Sequence, residues 1–269
     1  MLQNQSFETS FLQEELEATQ TELFVLESVN AITEAEEAEQ KEANGDKSGF
    51  AKKLKDFFIA IVKKVMDALK AFTNFFVEAF NKLMGRIKKI KEYAKSVQLQ
   101  GGKFDEPVEV KVMDFGKVAG QVSAAKLHPE NAEKFPEEVK AAEDALAEEK
   151  TLTANKPSDF MVLIKAAEDG SKAVKKQAGF VKDSANGVKQ IGTTGVSLAA
   201  KVASDPKAAE AAKENKAKIS RQAKVNSLAR RASSKAISDS NKLAAAAYGA
   251  LRKAKSNAKK DSKQSKAEA

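Results

Sequence analysis

The stretch that decides the fold lies at residues 50–98 and reads FAKKLKDFFIAIVKKVMDALKAFTNFFVEAFNKLMGRIKKIKEYAKSVQ. Apolar side chains recur on it in one stripe from Leu54 to Val97, which takes 12 steps to cover 43 residues. This spacing of about 3.6 residues is the period of a straight α-helix rather than the 3.5 of a long coiled coil. Lysines lie between the apolar positions, and Gly101-Gly102 supply a stop signal. The pattern predicts a basic amphipathic helix over 50–98, or a helix pair if Gly85 introduces a kink.

The apolar stripe of this helix has three interpretations. It packs as a core face on residues 104–200, or it enters a membrane surface while its lysines meet anionic lipid, or it mediates self-association. The phenylalanines that form the candidate membrane or partner face are Phe58, Phe72, Phe76 and Phe80.

The charge of the chain is separated into blocks. Residues 1–50 hold 12 acidic and 2 basic side chains, whereas residues 51–98 hold 4 acidic and 12 basic ones. Residues 99–204 are nearly neutral, with 16 acidic and 15 basic side chains, and residues 205–269 hold 6 acidic and 17 basic ones. Charge segregation of this kind indicates how a protein binds its partners and assembles, and it gives no indication of catalysis. We expect the acidic head to screen the basic remainder.

Hydrophobic patterning divides the chain into regions that are mostly helical. The class predicted is mainly α, with elongated helices, a small α+β element near 104–122 and a low-complexity C-terminus that is helical or disordered. The regions are an acidic helical segment and linker at 1–49, the basic amphipathic helix at 50–98, a small mixed region at 99–157, a helical region at 158–204 and an Ala/Lys/Ser-rich tail at 205–269.

The mixed region carries the strand signal. Residues 108–112 alternate apolar and polar side chains after Pro107, which predicts a short strand. We expect its partner near residues 118–122, in a hairpin across Gly116, and a helix over roughly 136–150.

The C-terminal region has few large apolar side chains, and its only aromatic residue is Tyr248. We therefore expect the core to form around the middle of the chain and the tail to be solvated or ordered by a partner. Its surplus of cations predicts binding to duplex DNA without sequence preference, by phosphate neutralisation. The candidate phosphate contacts are Arg230, Arg231, Arg252, Lys253, Lys255, Lys259 and Lys260.

Signatures of catalysis and of membrane insertion are absent from the sequence. There is no Cys, the single His128 precedes a proline, and neither a phosphate loop nor a dinucleotide fingerprint occurs. We expect no enzymatic activity, cofactor or metal. The first basic residue is Lys41, which is not typical of a secretory signal. The apolar run at 57–62 is far shorter than the ~18 residues of a membrane span.

A family resemblance enters at Ile32-Thr33-Glu34-Ala35-Glu36. This sequence resembles the hydrophobic-x-Glu sites at which prohead proteases of large tailed bacteriophages cut capsid and internal head proteins. Ala35-Glu36-Glu37 resembles the small-x-Glu version of the site, and Leu12-Gln13-Glu14 also fits the hydrophobic-x-Glu pattern. The layout of acidic helix, Glu site and basic Ala/Lys-rich body is similar to that of internal head proteins.

The resemblance implies a non-enzymatic virion-internal protein that associates with packaged DNA. It implies a precursor cleaved near Glu34, with Ile32, Thr33, Glu34 and Ala35 forming the site that the protease recognises. Its partners would be duplex DNA, the prohead protease and capsid or scaffold proteins. Its place would be the virion interior, after assembly in the host cytoplasm. The alternative is a cellular membrane-surface protein that binds anionic lipid through the helix at 50–98.

Overall fold

The computed structural model of the chain describes residues 47–95, 97, 107–127 and 132–267, the final twelve as backbone only. The described part is mainly α-helical, as the sequence predicts. The helices are α1 (Lys47–Lys95), α2 (Phe115–Leu127), α3 (Phe135–Ala147), α4 (Phe160–Ala199) and α5 (Pro206–Ala267). Two strands, β1 (Val108–Met113) and β2 (Glu149–Ala154), flank α2 and α3, and a 3-10 turn at Pro157–Asp159 precedes α4.

The three long helices form a bundle in which α4 runs antiparallel to both α1 and α5. At one end of α1, Phe58 meets Gly195 of α4, and at the other end Lys91 pairs with Glu168. The contacts between α1 and α5 progress in the same direction along both helices, from Arg86–Asn241 to Tyr93–Tyr248. At 1.5 Å per residue the helices are about 74, 60 and 93 Å long in the order α1, α4 and α5.

The helix α1 confirms the prediction made from its period. Its stripe is buried against α4 and α5, so the interpretation as a core face is the one that the structure supports. The helix begins at Lys47, so the last residues of the expected linker belong to its first turn. Gly85 lies inside the helix, which runs unbroken from Lys47 to Lys95 and is not a helix pair. The fully or nearly fully buried members of the stripe are Leu54, Phe58, Ile61, Val65, Phe72, Ala79, Leu83, Ile87 and Ile90.

The small α+β element is present, but its expected hairpin is wrong. The strand β1 pairs antiparallel with β2 in a register that runs from Val108–Ala154 to Met113–Glu149. Residues 118–122 instead belong to α2, whose Val118 and Val122 are buried. The three apolar positions 115, 118 and 122 follow a helical spacing, and this pattern outweighed the single turn signal of Gly116. The helix expected at 136–150 ends at Ala147, and residues 149 and 150 begin β2.

Asp114 connects the sheet to the helix that follows it. Its Oδ1 accepts hydrogen bonds from the backbone N–H groups of Gly116 and Lys117 at 3.0 and 3.1 Å, which caps the N-terminus of α2. Its Oδ2 accepts one from Lys150 Nζ of β2 at 3.0 Å. These bonds, led by that from the Lys117 N–H, hold the pKa of the Asp114 carboxyl below its usual range.

The helix α5 overturns the expected position of the core. Residues 225–230 are all buried, and six consecutive positions point to every side of a helix. The tail expected to have little to bury is therefore the central element of the fold, and it contacts α1, α2, α3, α4 and β1.

Small side chains explain why α5 is buried without many large apolar residues. A Cβ added at Gly170 of α4 would lie 2.1 Å from Ser240 Oγ, so the two helices approach closely there. Asn226 Nδ2 donates to the Val181 carbonyl at 3.0 Å and to Ser184 Oγ at 2.9 Å, which satisfies one of the buried polar groups. Close packing of Ala, Gly and Ser gains dispersion contacts that a count of large hydrophobic residues does not register.

Candidate nucleic-acid interface

One end of the bundle brings together the C-terminal parts of α1 and α5. The chain contains two tyrosines, Tyr93 on α1 and Tyr248 on α5, and their ring centroids lie 5.5 Å apart. The planes are tilted by 53°, a geometry within the range in which aromatic pairs stabilise an interface. The pair joins two helices at positions 155 residues apart in sequence.

Cations cover both tyrosine rings. Lys255 Nζ lies 5.2 Å from the Tyr93 ring centroid, and Arg252 Cζ lies 6.0 Å from that of Tyr248. Both distances fall within the range of cation–π attraction. The rings therefore hold these two cationic side chains at the surface, where Tyr248 itself is 43% exposed.

The surroundings of this tyrosine pair are strongly basic. Residues 86–95 contain five basic and one acidic side chain, and residues 252–267 contain seven basic and one acidic. We call these two segments together the basic end. Those of its cations whose side chains the structure describes as exposed are Lys88, Lys89, Lys91, Lys95, Arg252, Lys253 and Lys255.

Most of the cations in the middle of α5 are paired with carboxylates of the same chain. Lys224 Nζ lies 2.7 Å from Glu143 Oε1, and Arg231 Nη1 lies 3.9 Å from the same oxygen. Lys235 Nζ lies 3.4 Å from Glu149 Oε1. Acidic residues of α3 and β2 thus neutralise part of the positive charge of the tail within the folded chain.

Arg230 is not a phosphate contact in the folded chain. Its side chain is 0% exposed and is the largest of the fully buried ones. The expectation that it contacts DNA is therefore wrong, because a side chain inside the bundle cannot reach a duplex outside it. Arg231 is also a predicted DNA contact, and its side chain is half-buried near Glu143.

The remaining candidate contacts fall into two groups. Arg252, Lys253 and Lys255 are exposed and belong to the basic end. The backbone at Lys259 and Lys260 continues α5, and their side chains lie outside the described part of the chain. The expected cleavage site at residues 32–35 also lies outside the described residues.

The phenylalanine face expected to meet a membrane is mostly internal. Phe58 and Phe72 are buried, which is inconsistent with insertion into lipid by the folded protein. Phe76 and Phe80 are half-buried and stack in a row with Phe72. The ring centroids of Phe72 and Phe76 lie 6.0 Å apart, and those of Phe76 and Phe80 lie 5.5 Å apart. Lys175 Nζ of α4 lies 5.1 Å from the Phe80 ring centroid. Among the described residues, no helix is both long enough and apolar enough to cross a bilayer.

Sequence reasoning did not bring Tyr93 and the lysines at the end of α1 together with Tyr248. No local pattern could have joined Tyr93 to Tyr248, because their contact depends on the parallel arrangement of α1 and α5. In the part of the chain that the structure describes, no group of three or more His, Cys, Asp or Glu side chains could hold a metal ion.

Comparison with known proteins gave no relative for this chain: no family model matches it, and neither curated proteins nor solved structures returned a match.

Proposed function

We propose that this chain is a non-enzymatic structural protein of a virion interior that binds packaged duplex DNA through the basic end. The observation that carries the proposal is the convergence of exposed cations from α1 and α5 around Tyr93 and Tyr248. Phosphates of a duplex are the ligands that such a surface suits best, because neutralising them releases condensed counterions. Contacts to phosphate carry no base information, so the binding is independent of sequence.

The side chains of the basic end are arranged for this role. Arg252 and Lys255 lie over tyrosine rings, which restrict their motion without neutralising their charge. In the middle of α5, Glu143 and Glu149 compete for the cations. DNA binding is therefore concentrated at the end of the molecule rather than spread over the whole C-terminal region.

Salt dependence of binding by the full chain tests this proposal. The affinity for a labelled duplex is measured by fluorescence anisotropy between 50 and 200 mM salt, for the unchanged chain and for Arg252→Gln/Lys253→Gln/Lys255→Gln. Each phosphate contact contributes about 0.9 to the slope of log affinity against log salt, so the triple variant lowers the slope by about 2.7.

A matched control removes three charges elsewhere on the same bundle. Lys52, Lys53 and Lys55 are exposed near the start of α1, roughly 57 Å from Tyr93 along the helix. Lys52→Gln/Lys53→Gln/Lys55→Gln leaves the slope unchanged if the basic end is the interface. Equal losses in both variants, or an affinity that does not respond to salt, would overturn the proposal.

The placement in a virion and the processing step are supported by the resemblance at residues 32–36 and by the charge reversal that follows them. The prohead protease and capsid or scaffold proteins belong to this proposal as partners. A membrane surface is the second candidate partner, and it is favoured only by the exposed side chains of Ile59, Val77 and Met84 on α1.

A further inference from the structure

Tyr248 differs in exposure from the other aromatic side chains of the molecule. Among those that the structure describes it alone is exposed, at 43%, whereas Tyr93 and the phenylalanines are buried or half-buried. Aromatic rings usually lie inside a fold, because each of them can bury a large apolar area. The Tyr248 ring lies instead at the surface of the basic end. An exposed aromatic ring among cations is the combination with which proteins bind single-stranded nucleic acid.

The packing around Tyr248 fixes the position of its ring. Ala244 and Leu251 lie four residues before and three residues after it, and both are fully buried. Residues at these spacings are neighbours on a helix, so Tyr248 lies at the border of the face that α5 turns towards the bundle. The Tyr93 ring packs against it with a centroid distance of 5.5 Å. A ring that is already ordered loses little conformational entropy when a ligand binds to it.

Small residues leave space beside the ring. Ala245 lies three residues before Tyr248 and is exposed, and Gly249 follows Tyr248 directly. A Cβ added at Gly249 would meet nothing within 4 Å, so no other described element fills the space next to it. Arg252 Cζ lies 6.0 Å from the Tyr248 ring centroid, which is the outer limit of a cation–π contact. A flat ligand therefore has an approach to the ring.

The chemistry of this surface selects the ligand. Its cations bind phosphate and its ring binds the face of a flat π-system, and a nucleotide carries both groups. In the interior of a duplex each base is covered above and below by its neighbours, so it has no free face for a tyrosine. A base that can stack on Tyr248 is therefore an unpaired one, as in a single strand that protrudes from the end of a duplex.

We propose that Tyr248 stacks on an unpaired base of DNA while Arg252 and Lys255 bind phosphates of the same strand. This role rests on the proposed function, because the phosphates of the strand meet the cations that would also bind a duplex. A duplex with a single-stranded overhang then binds the basic end more tightly than a blunt duplex with the same number of phosphates.

Substitution of Tyr248 in the full chain tests the stacking. Fluorescence anisotropy measures the affinities for a labelled oligo(dT) of about 12 nucleotides and for a blunt duplex. Loss of the ring also frees Arg252, which weakens the binding of both ligands, so the quantity compared is the ratio of the two affinities. Tyr248→Ala lowers the ratio of oligo(dT) affinity to duplex affinity at least about fivefold, the smaller effect expected for one stacked base. The conservative variant Tyr248→Phe retains the ring and retains the ratio.

Tyrosine fluorescence gives a second measurement that reports on the ring itself. The chain contains no tryptophan, and its two tyrosines are Tyr93 and Tyr248. In Tyr93→Phe, which keeps the ring that packs against Tyr248, Tyr248 is the only tyrosine. Oligo(dT) that stacks on Tyr248 quenches the emission of this variant, whereas a blunt duplex bound to the same extent does not.

The outcomes that overturn the inference differ from those that overturn the proposed function. An unchanged affinity ratio in Tyr248→Ala would mean that the ring only positions Arg252. Emission that follows protein concentration rather than oligo(dT) would assign the ring to a contact with a second copy of the chain. Either result overturns the stacking role, and the smaller salt slope of Arg252→Gln/Lys253→Gln/Lys255→Gln would still support duplex binding. If that triple variant keeps the full slope, the proposed function fails as well.

Discussion

Asp239 of α5 accepts a hydrogen bond from the backbone N–H of Met113 at 2.9 Å, which joins the last helix to a strand 126 residues earlier in the chain. The same carboxylate accepts a bond from Lys242 Nζ at 2.8 Å and lies 3.9 Å from Lys235 Nζ. Asp239 is fully buried, so these three partners supply the interactions that water would otherwise make.

Removal of this carboxylate should be among the most damaging single changes in the described part of the chain. Asp239→Ala leaves the buried Met113 N–H without its acceptor and removes the counter-charge of Lys242, and the expected loss is about 1–3 kcal/mol of unfolding free energy. Urea denaturation measures the change. Asp183→Asn, at an exposed pair with Lys126, is the control and should cost less than about 1 kcal/mol. Equal effects would show that Asp239 does not hold the strand to α5.

Two glycines of α4 make a second matched test. A Cβ at Gly195 would lie 2.4–2.5 Å from three ring atoms of the buried Phe58, whereas a Cβ at Gly179 would meet nothing within 4 Å. Gly195→Ala should destabilise the protein by about 1–3 kcal/mol through overpacking. Gly179→Ala should stabilise it by about 0.5–1 kcal/mol, the ordinary gain in a helix. Thermal unfolding of both variants checks the opposite signs, and a stabilising Gly195→Ala would mean that α1 and α4 are not packed this closely.

Asp114 should make stability depend on pH. Its pKa is lowered in the folded state by the Lys117 N–H and Lys150, so its contribution is complete above the unfolded value and is lost as pH falls through the lower, folded value. Asp114→Asn keeps a side chain suited to the N-cap but does not titrate. The free energy of unfolding of the unchanged protein should therefore exceed that of Asp114→Asn by less and less as the pH falls from 6 to 3. Urea unfolding at each pH measures this difference. A difference that stays constant over this interval would contradict the role of the Asp114 charge.

Adjacent residues on α1 separate a core role from a membrane role. Phe58→Asp should unfold the chain, because it buries an unpaired carboxylate, whereas Ile59→Asp at an exposed position should change stability by no more than about 0.5 kcal/mol. Circular dichroism of the two variants makes the comparison. Folded Phe58→Asp protein that has lost only its affinity for anionic vesicles would instead support a membrane face.

Processing at Glu34 gives a prediction that is independent of the bundle. Mass spectrometry of native particles should find a chain that starts at Ala35, or at Ala38 if the neighbouring site is used. Glu34→Gln should prevent the cut at the first site, because the protease loses a charge-assisted contact with the carboxylate. An intact N-terminus at Met1 or Leu2 in assembled particles would contradict the precursor hypothesis. Removal of residues 1–34 should also raise DNA affinity, since the acidic segment competes for the same cations.

The sequence predicted well those elements whose evidence is local. The helix α1 was expected at 50–98 and is found at Lys47–Lys95, because its apolar period is regular over many turns. The strand β1 was expected at 108–112 and is found at Val108–Met113. Its partner was not predicted, because β2 lies 36 residues further along the chain and follows two helices. The local sequence pattern of a strand does not show which distant strand it pairs with.

The central position of α5 could not be derived from its composition. Ala229, Ala232 and Ser233 contribute little to any hydrophobic stripe, yet all three are fully buried. Their burial depends on the packing of α5 against the other elements, above all α4, and the local sequence of α5 does not show which elements surround it. For the same reason Arg230 looked like a surface cation, although it lies inside the bundle.

The order of synthesis gives the central position of α5 a kinetic consequence. The helix that touches all four other described helices is also the last to leave the ribosome, and its contacts with α1 close loops of about 155 residues. Contacts of such high sequence separation slow folding, because loop-closure entropy is lost before they form. Until α5 emerges, the apolar surfaces of α1 and α4 that pack on it stay uncovered, so the nascent chain should be prone to aggregation during synthesis.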